Sequence, residues 1–380
     1  MFSFKNESAL VFHIGSASVG AGLVQLEQGQ PPRIIYSLRE PIPYRDSVTA
    51  DRFVADMLSA LKQVNTRIAK EAPRGFSAKH VFYVFSSPWI ATQTKIVSMK
   101  EVKPFKLTRR HVQRIVDSQT KAAPGLQLLE KRVIDIRLNG YQIPDPYGKK
   151  ATNADISLFM SFIPKTLLDS VMEISARTFH PKDTRVSSFT LASFLLIRET
   201  FPHDNDFIFL DIGGELSDIA IVKEGLILET ASFPMGRYFL TRKIQKDLDV
   251  SAEEAVSLIR VYEDGLADEN LIAGLKPILD GAAAEWVKGF RVSLSKLGKG
   301  MTWPMKIFLT IHSDFNKFFV RVLSAEHISK LGVAEVAMSI VPLNEEAIKA
   351  SVSFSDDALR DPFIAISSAL AGKLYESTGR

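Results

Sequence analysis

With 380 residues the chain is long enough for two or more hydrophobic cores, so a multi-lobed globular protein is expected. Hydrophobic residues make up 46% of it, and 47 Lys and Arg nearly balance 43 Asp and Glu, which gives no dedicated basic face for nucleic acid. The absence of cysteine removes disulfides, thiolate nucleophiles and cysteine-type zinc or iron–sulfur sites.

The opening residues, Met1-Phe2-Ser3-Phe4-Lys5-Asn6-Glu7, lack the apolar core and small-residue cleavage site of a secretory signal. Phe2 and Phe4 beside Lys5 are too few aromatics to read as a membrane contact. The longest uncharged apolar stretch, 186–197, lies between Arg185 and Arg198 and falls short of the roughly 18 residues a spanning helix needs. A cytoplasmic protein is expected, recruited to the inner face of a membrane only through partners.

In chain order, residues 10–12 and 21–26 are apolar runs around Gly15, Ser16, Ser18 and Gly20, which reads as a hairpin. Residues 51–69 carry Phe53, Met57, Leu58, Leu61 and Val64 at helical spacing, and 80–85 follows as a strand, giving β-β-α-β. From Trp89 the pattern changes. A helix with Val112, Ile115 and Val116 inward and strands at 128–138 and 156–162 read as a small inserted domain. Residues 165–177 and 187–200 read as helices. The apolar strand 207–212 then runs into Gly213 and Gly214, with strands at 217–222 and 226–230 repeating the opening strand–turn–strand layout. Helices dominate 238–297, a short strand covers 306–310, and 358–373 reads as a closing helix.

Two such turns in separate halves suit a protein that grips a phosphate chain, because small residues let backbone N–H groups approach closely. Gly15, Ser16, Ala17 and Ser18 supply one turn; Gly213, Gly214, Ser217 and Asp218 supply the other. Taken singly, each reads equally as an ordinary hairpin turn.

Asp211-Ile212-Gly213-Gly214-Glu215-Leu216-Ser217-Asp218 resembles the second phosphate motif of the actin, Hsp70 and FtsA superfamily, and His13-Ile14-Gly15-Ser16-Ala17-Ser18 resembles the first. The inserted segment, with Val133-Ile134-Asp135, Asn139-Gly140-Tyr141 and Asp145-Pro146-Tyr147-Gly148, is similar to the extra subdomain of FtsA. Phe233-Pro234-Met235-Gly236-Arg237, with Thr241 and Ser251-Ala252-Glu253-Glu254-Ala255, matches the opening of the second lobe's inner subdomain in FtsA and PilM. Asp361-Pro362-Phe363 resembles the start of their last core helix.

The resemblance implies an α/β chain with the actin-like ATPase fold, two ribonuclease-H-like lobes and an SHS2-like inserted subdomain in the first. It places residues 1–86 and 164–204 in the first lobe (1A), 87–163 in the insert (1C), 205–236 and 302–380 in the second lobe (2A), and 237–301 in a shortened subdomain (2B). By the same resemblance Gly15, Ser16, Ala17, Ser18, Gly213, Gly214, Ser217, Gly236 and Arg237 would bind nucleotide, and Asp211 would act as base or hold magnesium through water.

Several positions depart from that pattern. His13 stands where the superfamily has a magnesium-positioning aspartate, and a neutral imidazole is a poor partner for a hard cation; a core histidine satisfied by a backbone group is expected. Glu215 replaces a third glycine and puts a carboxylate beside the expected terminal phosphates. Gly236-Arg237 replaces a glycine pair, with Arg237 able to hold phosphate instead. Ile311 and His312 are expected to crowd the adenine slot. Binding of ATP and magnesium is therefore expected to be weak or absent, with at most weak hydrolysis.

Function is expected on the surfaces. Lys95, Lys100, Lys103, Lys106, Arg109, Arg110 and Arg114 form a basic stretch, a solvated face or a site for an acidic partner or anionic lipid. The resemblance implies an FtsA-like division scaffold that binds an FtsZ-like tail, with self-association into filaments among its expected contacts, and a PilM-like pilus component docking a PilN-like peptide as the alternative. A working ATPase or sugar kinase is disfavoured. The short segment 265–286, and an end at Arg380 directly after the last helix, lean towards PilM.

Overall fold

The computed structural model describes residues 7–45, 47, 49–72, 76, 78–119, 122–297, 302–324 and 338–376. The readings made on Phe2, Phe4 and Lys5 and on the last residues before Arg380 lie outside them.

The first sheet grows from β1 (Glu7–Ile14) and β2 (Ser18–Leu26), an antiparallel hairpin extended by β3 (Arg33–Pro41). β1 is buried from Ala9 to Ile14 because β4 (His80–Phe85) pairs with it in parallel and helices cover both faces. Helix α1 (Ala50–Glu71) starts where the Thr49 hydroxyl accepts the Arg52 N–H, and lays Met57, Leu61, Val64 and Ile68 on this sheet. β3 corrects the expected β-β-α-β order. Its Arg39 and Glu40 interrupt the apolar alternation that would have marked it as a strand.

Next comes an antiparallel four-stranded sheet of order β5-β8-β6-β7, formed by β5 (Ala91–Lys106), β6 (Leu126–Leu138), β7 (Tyr141–Gln142) and β8 (Lys150–Pro164). Helix α2 (Arg109–Gln119) packs Val112 and Val116 onto Ile136, Ile156 and Leu158. β5 was not expected as a strand, because its lysines and exposed residues hide the period-two pattern. Helix α3 (Lys165–Phe179) leads to β9 (Asp183–Ser188), which joins β4 in parallel at the first sheet's edge. The expected helix 187–200 therefore begins later, as α4 (Phe189–Thr200), with the Ser188 hydroxyl capping the Leu191 N–H. The apolar stretch 186–197 is thus the end of β9 and most of α4. Among the described residues no helix is long and apolar enough to cross a membrane.

The second sheet has the order β12-β11-β10-β13-β14. It is built from β10 (Phe207–Ile212), β11 (Ser217–Lys223), β12 (Leu226–Phe233), β13 (Lys306–Ile311) and β14 (Ser339–Pro342). Helices α5 (Arg237–Leu248), α6 (Ala252–Glu263), α7 (Glu269–Lys296) and α8 (Ser313–Ser324) cover its outer face around Trp286, Phe290 and Phe319.

The short helix α9 (Glu345–Ile348) and strand β15 (Ser353–Phe354) bring the chain back, since β15 pairs with β3. Helix α10 (Pro362–Glu376) follows, with Pro362 at its first position and the Asp361 carboxylate capping the Phe363 and Ile364 N–H groups. It starts later than the expected 358. Residues 353–376, expected with the second lobe, instead lie on the first sheet. α4 and α10 are apolar nearly all round because they fill the layer between the sheets, where Phe82 and Val84 share a core with Phe207, Phe209 and Phe308.

Candidate functional site

The turns after β1 and β10 face each other and touch. The Ser16 hydroxyl oxygen accepts the N–H of Gly214 at 2.9 Å and of Glu215 at 3.2 Å. A Cβ on Gly214 would stand 2.7 Å from the Ala17 Cβ and 3.0 Å from its backbone N, so this approach requires glycine. Two further turn donors are engaged, Gly15 N–H on the Ser18 carbonyl at 3.1 Å and Gly213 N–H on the Leu216 carbonyl at 2.9 Å. Behind the second turn, the start of α5 donates from Gly236, Arg237 and Tyr238 to the carbonyls of Glu215, Gly213 and Gly214. The N–H groups of Gly15, Gly213, Gly214 and Glu215, donors of the kind that cradle phosphate, therefore serve the protein itself.

A polar chain crosses beside these turns. Arg39 of β3 makes a two-pronged pair with Asp361, Nε to Oδ2 at 2.5 Å and Nη2 to Oδ1 at 2.9 Å. Its Nη1 donates to Ser18 Oγ at 2.8 Å and reaches His13 Nδ1 at 3.5 Å. A guanidinium only donates, so His13 accepts on Nδ1 and carries its proton on Nε2, which faces Ser86 Oγ at 3.1 Å. The Ser86 hydroxyl then donates to Asp211 Oδ2 at 3.4 Å, and Thr310 donates to Oδ1 at 2.8 Å.

Charge follows from this burial. Desolvation, aided by the Arg39 charge, pulls His13 well below the usual histidine range, so the ring is neutral. Desolvation and the nearby Asp218 carboxylate push Asp211 up to about 8. Burial alone would raise Asp361 as well, but Arg39 outweighs it and holds that carboxyl below its ordinary value.

A larger concavity lies elsewhere. A groove of about 760 Å³ runs between residues 127–133 of β6 and residues 184–186 of β9, floored by Leu168 and Met172 of α3. β9 is an edge strand, and β7 covers β6 only at Arg137 and Leu138. Glu130 holds the two strands together, accepting the Ser188 N–H at 2.7 Å and the hydroxyls of Ser161 and Ser187.

No protein-family model matches the chain, and no curated protein matches it. Solved structures do. A chain of a PilM–PilN type IV pilus biogenesis complex superposes with a TM-score of 0.63 and 16% identity, over 97% of this chain and 99% of that one. This chain has the actin-like ATPase fold. A MamK double helical filament (TM-score 0.46, 12% identity, 98% of this chain and 99% of that one) is more distantly similar. So is the ethanolamine utilization protein EutJ from Carboxydothermus hydrogenoformans (TM-score 0.45, 10% identity, 98% and 91%).

An actin-like fold implies ATP and magnesium between the lobes, and the residues present here do not fit them. The cavity between the turns has about 30 Å³, room for one or two waters. Gly15, Ser16, Ala17, Ser18, Gly213, Gly214, Asp211 and Arg237 all line it, so the expected site residues are gathered, but without a gap for a phosphate chain. Ser217 and Gly236 sit behind, the former donating to the Met235 carbonyl at 2.7 Å, the latter packed on the Gly214 carbonyl. The Arg237 guanidinium lies over the rings of Tyr238 and Phe315.

Three expectations are corrected. His13 is satisfied by the side chains of Ser86 and Arg39 rather than by backbone, because the strand ends beside both. Glu215 turns away from the cavity to Arg242 at 2.6 Å, where its charge is compensated. Ile311 does not crowd the slot, since it packs into the second lobe's core, and only His312 reaches the cavity. Sequence reasoning missed Arg39 and Ser86. The one signal for Arg39 was an arginine directly after the Ile34–Leu38 stretch of β3.

Proposed function

We propose that this protein is a docking scaffold of the actin-like fold, which binds a short extended segment of a partner protein and does not turn over ATP. The groove between β6 and β9 carries the reading. Two strand edges offer backbone donors and acceptors to an added strand, and Leu168 and Met172 offer an apolar floor to its alternate side chains. The six residues of β9 set the peptide's length at about six.

A PilN-like peptide is the occupant we favour, because the similar PilM chain was solved as a PilM–PilN complex and matches this chain from end to end. Recruitment to a membrane's inner face then follows from the partner. Fluorescence anisotropy with a labelled PilN-like peptide, and with an FtsZ-like tail as comparison, tests the reading. Saturable binding of the former, lost in Met172→Lys, is expected. Binding of the FtsZ-like tail alone would move the protein to cell division, and binding of neither would overturn the docking role.

A further inference from the structure

The far end of the inserted sheet carries a second surface. Along β5, five residues pass from Lys100 to Phe105 while β8 advances only from Asn153 to Ala151, so residues 101–104 bulge out of the ladder. Pro104, which has no N–H to pair, suits that bulge. At its tip Val102 is 99% exposed. Lys100, Lys103 and Lys106 lie along β5 on either side of it, and Arg109 and Arg110 open α2 just beyond. Lys149 and Lys150 join them, because Lys106 pairs with Lys150 and Leu107 N–H bonds to the Lys149 carbonyl.

Seven exposed cations thus share one end of the protein, with only Glu101 and Asp145 as carboxylates in the same segments. None of the seven has an acidic partner within 4 Å among the described residues, although ion pairs are common elsewhere on the surface. Arg109 stacks over Tyr147 with its guanidinium 4.5 Å from the ring centroid. Lysines and a bulge would by themselves protect an edge strand. A fully exposed valine at the crest does not serve that purpose.

We propose that this tip rests on an anionic phospholipid surface, its lysines and arginines among the headgroups and Val102 dipping below them. A convex, apolar crest ringed by unpaired cations fits a flat, negatively charged layer, whereas an acidic peptide would call for a groove. The contact is independent of the β6–β9 groove and adds a direct membrane attachment to the one expected through a partner.

Flotation of the full chain with phosphatidylglycerol–phosphatidylcholine vesicles, against phosphatidylcholine alone, tests this. Binding to the anionic vesicles only, weakened by raised salt, is expected. The double reversal Lys103→Glu/Lys106→Glu should lower the partition coefficient by about tenfold or more. Val102→Ser, at a position too exposed to affect folding, should lower it several-fold and Val102→Trp should raise it, while Met172→Lys leaves it unchanged. Equal binding to neutral vesicles, or full binding by the double reversal, would overturn the proposal. Indifference to both Val102 changes, together with complete displacement by polyglutamate, would overturn it in favour of an acidic polypeptide.

Discussion

The Ser16 hydroxyl of the first glycine turn accepts the Gly214 N–H of the second at 2.9 Å, tying the two lobes together at the point where an actin-like fold opens for phosphate. A hydroxyl supplied by the protein thus occupies a donor pair that a phosphate oxygen would otherwise need. The acceptor belongs to the chain itself, so a nucleotide phosphate must displace the Ser16 hydroxyl to reach these two donors.

Replacing Ser16 by Ala removes the acceptor from two N–H groups at once. Their desolvation without a partner costs about 1–3 kcal/mol. A lower melting temperature by differential scanning calorimetry is the expected outcome.

Glycine positions separate packing from propensity. A Cβ on Gly236 would lie 2.3 Å from the Gly214 carbonyl oxygen, backbone against backbone, so Gly236→Ala must push α5 off the second turn and is expected to destabilise strongly. Gly281, in exposed helix, has nothing within 4 Å of such a Cβ, and Gly281→Ala should stabilise by about 1 kcal/mol. Paired urea melts of the two variants check the contrast.

The two strand–turn–strand units were legible because β1, β2, β10 and β11 are apolar runs broken by small residues, and their order along the chain pointed to the fold. β3, β5 and β9 were not, since Arg39, the β5 lysines and Arg185 break the period on which strand reading depends. The same difficulty hid the site's chemistry. Arg39 and Asp361 are 322 residues apart, and only the return of the chain to the first sheet brings them together. That Ser16 would fill the donors of Gly214 is likewise a tertiary fact, invisible in a motif that contains both expected turns.

Removing Arg39 leaves the Asp361 carboxylate largely buried without its counter-charge, at a cost of about 3–5 kcal/mol. Arg39→Lys restores charge but not the two-pronged geometry, and is expected to recover only part of the loss. Thermal melts of Arg39→Met, Arg39→Lys and the double variant Arg39→Met/Asp361→Leu check this. The double variant should be more stable than Arg39→Met alone.

Stability should also bend with pH. Asp211 keeps its proton in the folded protein up to about 8, whereas unfolded it ionises near 3.8, so its contribution declines as pH rises between those values and then levels off. His13 is neutral when folded and gains a proton below 6.5 when unfolded, so its contribution declines as pH falls below 6.5. The slopes oppose each other below 6.5, and between 6.5 and 8 that of Asp211 stands without the other. The melting temperature of the unaltered protein is therefore expected to fall over pH 6.5–8, and Asp211→Asn should flatten that fall.

Among the described residues the two turns meet and leave a cavity of only about 30 Å³ where a phosphate chain would lie. Equilibrium titration with a fluorescent ATP analogue, with and without magnesium, tests this most directly. No saturable binding in either condition is predicted. Micromolar, magnesium-dependent affinity accompanied by steady turnover would contradict it.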